Sequence, residues 1–104
     1  MNIFLERTGG FAGIKIKGQV DSSTLPPKQA RRIEKLFHKS RFFELPSVIS
    51  LESQGADHFH YTITVEIGES KHTIAAYEAA IPAEMRPFLD FLIQSIIKNK
   101  TNLL

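Results

Sequence analysis

His58, His60 and His72 have the side chains with the plainest chemistry in this chain, because neutral imidazole is a good zinc ligand. Two histidines two apart on an extended segment share a face, so His58 and His60 meet the first geometric requirement. His72 does not join them. A turn at Gly68-Glu69 places His72 across from Val65, on the apolar face, several residues from His60. A third ligand would have to come from Asp57, Glu66 or Tyr77, and the spacing brings none of them to the pair. Histidines on the polar face of a sheet are the expectation, with no metal and no cofactor.

Other catalytic arrangements are equally poorly supported. Serines and threonines occur, with His58 or His60 as a candidate base, but nothing resembles the strained turn that presents a nucleophile. The acids are scattered rather than paired, as acid–base catalysis would require. The chain has no cysteine, which removes thiolate chemistry and disulfides alike. Gly9, Gly10 and Gly13 superficially suggest a phosphate cradle. They precede a strand and not a helix N-terminus, so the dipole and free N–H groups that bind phosphate are missing. A non-enzymatic protein is expected.

One charged surface stands out. Lys28, Arg31, Arg32, Lys35 and Lys39 crowd one side of a segment from Pro27 to about Lys39, with Glu34 the lone acid. Ala30, Ile33, Leu36 and Phe37 recur at helical spacing on the other side. This is an amphipathic helix with a cationic exterior. Such a face can contact phosphates, with Phe42 or Tyr77 stacking on bases, but a solvated helix surface is its commoner meaning. The net charge of +2 is too small to indicate nucleic acid by itself, although the pI is near 9.0.

The elements that position these groups follow from the patterning. At 104 residues, 42% hydrophobic and 23% charged, the chain suits one domain with its own core, spanning 1–104. No basic stretch leads an apolar run at the N-terminus, and no segment approaches a membrane span, so a cytoplasmic location is expected. Asn2 to Arg7 and Ile14 to Lys17 read as strands joined by the glycine-rich turn. Asp21-Ser22-Ser23-Thr24 offers helix-capping side chains before Leu25-Pro26-Pro27. After the basic helix, Phe42 and Phe43 plug its end into the core as the chain turns, and Pro46 closes the segment. Val48 to Leu51 suits a short strand at most, and Gln54-Gly55 a turn.

Asp57 to Ile67 is the clearest element. Phe59, Tyr61, Ile63, Val65 and Ile67 alternate with His58, His60, Thr62, Thr64 and Glu66, as in a strand with one wet face. Gly68-Glu69 is a two-residue turn with glycine first, which sets Ile67 opposite Ser70, Glu66 opposite Lys71 and Ile63 beside Ile74. Pro82 to Pro87 leads to the last helix: either a short turn ends at Arg86 and the helix starts at Pro87, or the helix kinks there. Its apolar face comprises Phe88, Leu89, Leu92, Ile93, Ile96 and Ile97, and Met85 extends it one turn earlier. The fold expected is α+β, a four-stranded antiparallel sheet with two helices on one face, in the order β-β-α-β-β-α.

Three stretches in the same order and separation resemble the emfourins, small protein inhibitors of thermolysin-family metalloproteases such as protealysin. They are Arg7-Thr8-Gly9-Gly10-Phe11-Ala12-Gly13-Ile14, Phe42-Phe43-Glu44-Leu45-Pro46, and Asp57-His58-Phe59-His60-Tyr61-Thr62-Ile63-Thr64-Val65 with Gly68 and His72-Thr73-Ile74. The resemblance runs from about residue 3 to residue 97. It implies a protein that binds a zinc protease without holding zinc, filling the cleft with rigid loops that lose little freedom on docking. Thermolysin-like enzymes favour a bulky apolar side chain just past the scissile bond. Three loops then become candidates: Gly9 to Gly13 carrying Phe11 and Ala12, the segment around Glu52 and Asp57 with its carboxylates, and the connector Tyr77 to Pro82 with Ile81. Phe11 is the first choice, and folding back onto the core is its equal alternative. A separate reading leaves the basic helix to bind nucleic acid or another acidic partner.

Overall fold

The computed structural model describes residues 1–9, 15–49 and 59–102. Strands β1 (Asn2–Gly9) and β2 (Ile16–Asp21) lead through a 3₁₀ turn to helix α1 (Pro27–Ser40). A second 3₁₀ turn (Phe42–Glu44) precedes β3 (Val48–Ile49), β4 (Phe59–Ile67), β5 (Ser70–Tyr77) and helix α2 (Arg86–Asn102).

The sheet has five strands in the order β2-β1-β4-β5-β3, and it is mixed. This corrects the expected four-stranded antiparallel sheet in one respect: β3 is added at the edge, parallel to β5, with Val48 opposite Ala75 and Ile49 opposite Ala76. Pro46 favours extended backbone just before it. The Ser47 carbonyl then accepts from the Ala75 N–H at 2.8 Å and starts the ladder. The other pairings are antiparallel, and the β4–β5 register is the expected one, with Ile67 opposite Ser70, Glu66 opposite Lys71 and Val65 opposite His72. Gly68 takes φ 58°, a conformation glycine adopts without steric cost.

One face of the sheet makes the core. Ile3, Leu5, Val20, Tyr61, Ile63, Val65 and Ile74 all point toward the helices and are almost fully buried. Phe88, Leu89, Leu92 and Ile96 of α2 meet them, with Met85 of the turn before it, as do Ile33 and Phe37 of α1. Each such side chain contributes about 1.5–3 kcal/mol by leaving water. α2 approaches β2 closely at Gly18. A Cβ added to Gly18 would fall 2.7 Å from Cγ2 of Ile96, so glycine is what lets the helix sit this low.

Capping departs from expectation. Asp21 does not cap α1; its carboxylate accepts from the Ser23 N–H at 3.0 Å and the Ser23 hydroxyl at 2.8 Å, capping the 3₁₀ turn Ser22–Thr24 instead. Pro26 and Pro27 start α1 without a side-chain cap. The helix ends at Arg41 with φ 54°, a left-handed residue that turns the chain so that Phe42 enters the core. Phe43 stays 40% exposed and lies edge-on to Phe37, so only one phenylalanine of the pair is the plug. His72, on the helix-covered face, packs against the Phe42 ring and donates its Nε2–H to the Leu45 carbonyl at 2.6 Å.

Candidate functional site

Strand pairing brings strand ends that flank the expected loops to one end of the sheet. Gly9, the last residue of β1, lies opposite Phe59, the first of β4. His60 in turn lies opposite Tyr77, the last residue of β5. The end of β1, the start of β4 and the Glu78–Ala80 3₁₀ turn after β5 therefore lie together at this end. The opposite end carries the Gly68-Glu69 turn and the junction of β2 with its 3₁₀ turn.

Gly9 is exposed, with φ 87°. Ile81 closes the 3₁₀ turn, its N–H donating to the Glu78 carbonyl at 3.2 Å, and its side chain is half-buried against the core. Gly10, Phe11, Ala12, Gly13, Glu52 and Asp57 lie outside the described residues, as does His58. His60 and His72 stand on opposite faces of the sheet, as the alternation implied. Among the described residues, no three histidines or acids come together as metal ligands would.

A polar cluster at this end joins residues that no local pattern connects. Arg7 shares the parity of Ile3 and Leu5 and therefore faces the helix side, where its Cζ lies 4.2 Å from the centre of the Phe59 ring. Its buried Nε has no hydrogen-bond partner among the described residues. Tyr61, opposite Arg7, donates its hydroxyl to Glu78 Oε1 at 3.2 Å. Arg86 donates to the same oxygen at 2.9 Å and reaches Asp90 at 3.3 Å. Burial and the neighbouring Glu78 carboxylate push the Tyr61 hydroxyl above its ordinary pKa, against the pull of Arg7. The hydrogen bond to Glu78 likewise raises that of the Arg86 guanidinium. The cluster ties β1, β4, the 3₁₀ turn and the start of α2 into one unit. A charged residue at a core-facing strand position was the available signal for Arg7. On the open side, Tyr77 is 42% exposed and meets His60 edge-to-face at 4.8 Å.

The cationic exterior of α1 is present as expected. Lys28, Arg31, Arg32, Lys35 and Lys39 are all exposed, and none pairs with an acid among the described residues. Arg41 differs, binding Glu44 at 2.8 Å.

The emfourin family profile matches residues 5–93, from within β1 to the middle of α2. The chain belongs to the emfourin family. No curated protein and no solved structure matches it. Emfourin membership points to a protease-inhibitor role. This emfourin holds one end of its sheet stiff with ring stacking and ion pairs. No helix among its described residues is long and apolar enough to cross a membrane.

Proposed function

We propose that this emfourin inhibits thermolysin-family zinc metalloproteases inside the cell, as a binding protein and not an enzyme. The loops at the Gly9–Phe59–Tyr77 end enter the active-site cleft and hold it shut to substrate. What supports this reading is family membership, together with the pairing that sets the end of β1, the start of β4 and the end of β5 side by side. A cleft-filling inhibitor must resist being cut, and a rigid, multiply anchored surface does so by denying the protease the extended, mobile segment it needs. Phe11 is the residue proposed for the apolar subsite, with Gly9, Gly10, Ala12 and Gly13 shaping its approach. Glu52 and Asp57 are proposed to lie near the catalytic metal of the enzyme, and Ile81 to back the contact surface.

Titration of a thermolysin-like protease with the purified protein, followed by intact-mass analysis, tests this. Stoichiometric loss of activity with an uncut chain supports a cleft-blocking inhibitor. Full activity at excess protein, or rapid cleavage, rejects it.

A further inference from the structure

A second surface lies on the helical side of the molecule. The β2–α1 connection, α1 and α2 enclose a groove of about 1570 Å³. Its apolar lining includes Leu25, Leu36, Phe91, Ile93 and Ile97, the last of these 46% exposed. Leu25, Leu36, Phe91 and Ile93 are half-buried along the margin of the core, and Ile97 extends that apolar strip into solvent.

Charge at the groove is one-sided. Two acids line it, and both are already engaged: Asp21 by Ser23, and Asp90 by Arg86. Its α1 wall is formed by Gln29, Arg32 and Leu36. With successive residues turned by one 3.6th of a circle, Lys28, Arg31, Lys35 and Lys39 form the next sector of the helix, a cationic lip directly above that wall. Glu34 falls on the far flank. Lys98 adds a cation on the α2 side. None of these lysines or arginines pairs with an acid among the described residues.

We propose that this groove docks an acidic amphipathic helix of a partner protein, its apolar stripe on Leu36, Phe91 and Ile97 and its carboxylates against the α1 lip. Along α2 the lining runs from Arg86 to Lys98, a length of roughly 18 Å at 1.5 Å per residue, which suits a helix of three to four turns. A second copy of the chain does not supply the occupant, because α1 is cationic and α2 bears only one acid over Arg86–Asn102. Nucleic acid has no apolar stripe to cover the floor, and a membrane surface is too flat to fill a groove. The proposal goes beyond protease inhibition and does not rest on it.

The test is fluorescence anisotropy with a labelled 18-residue probe helix, glutamates on one side and leucines on the other. Three competitors accompany it: the same residues scrambled, a single-stranded oligonucleotide, and anionic phospholipid vesicles. Binding of the amphipathic probe at micromolar concentration is expected, weakening at least tenfold in an Arg32→Glu/Lys35→Glu variant and several-fold in Ile97→Asn. Both variants sit on the surface, and unchanged melting curves confirm that they fold. Absence of binding up to 1 mM overturns the proposal. So does equal affinity for the scrambled probe, tighter binding of the oligonucleotide or vesicles, or indifference to the charge reversal.

Discussion

Arg7 holds its guanidinium 4.2 Å above the ring of Phe59, so the last turn-ward cation of β1 is stacked on the first residue of β4. The contact fixes two chain segments where loops depart, and a desolvated cation–ring pair is worth about 0.5–2 kcal/mol. A double-mutant cycle with Arg7→Gln and Phe59→Leu should return a coupling in that range by denaturant unfolding. Additive effects would show the stacking to be incidental.

Gly18 and Ile96 make the tightest helix–sheet approach among the described glycines. Gly18→Ala places a methyl 2.7, 2.9 and 3.1 Å from Cγ2, Cγ1 and Cδ1 of Ile96. Overpacking of this kind costs roughly 1–3 kcal/mol, and the melting temperature should fall by several degrees. Ile96→Ala removes all three atoms. Adding it to Gly18→Ala should therefore destabilise by clearly less than the two single changes summed. Strict additivity would mean that α2 moves away freely.

The hairpin around Gly68 was legible in the sequence because two signals agreed on it. Period-2 alternation assigned the faces of β4, and the glycine-first turn set the register, down to His72 on the covered side. β3 was not legible in its pairing: two residues carry no periodicity, and their parallel partner is β5, contributed by a distant segment. The capping side chains of Asp21-Ser22-Ser23-Thr24 were legible, but the carboxylate of Asp21 goes to Ser23 in the 3₁₀ turn, while α1 starts at its two prolines without a side-chain cap. At the candidate site, the flanking strands could be assigned but not which loops share an end. That depends on β1 pairing with β4, a contact between segments about fifty residues apart. The cluster of Arg7, Tyr61, Glu78 and Arg86 is invisible for the same reason.

Arg41 ends α1 with φ 54°, where a side chain crowds the following carbonyl. Substitution by glycine relieves this and also loses the exposed ion pair to Glu44. Arg41→Ala loses the ion pair and keeps the strain. Arg41→Gly should thus be more stable than Arg41→Ala by about 1 kcal/mol, the ion pair cancelling from the comparison. Equal stabilities in urea unfolding would show that the left-handed residue carries no strain.

Tyr61 has its hydroxyl pKa raised above 10.0 by burial and by Glu78. The unfolded chain loses this proton first as pH rises, so the native state then binds more protons and stability must fall. The contribution is intact below pH 10.0 and is lost as pH climbs from there through the raised native value. A single group can give a slope of at most about 1.4 kcal/mol per pH unit. Tyr61→Phe should be less stable at neutral pH but show a flatter decline in alkali, measured by urea unfolding between pH 9 and 11. An unchanged alkaline slope would assign the decline to other groups.

Tyr77 offers the most direct probe of which end of the sheet meets a protease. It is 42% exposed and held edge-to-face by His60, an aromatic anchor already ordered before binding. Anchors of this type cost about 2 kcal/mol or more when truncated, or roughly thirtyfold in affinity. Ile67 is comparably exposed at 39%, but it stands at the opposite end of β4 beside the Gly68 turn. Tyr77→Ala should weaken inhibition at least tenfold with little change in melting temperature, while Ile67→Ala leaves inhibition intact. Phe11→Ala belongs in the same series: weakened inhibition with unchanged melting marks contact, and a large stability loss marks a core role. If Ile67→Ala weakens inhibition as much as Tyr77→Ala, the docking end has been assigned to the wrong side of the sheet.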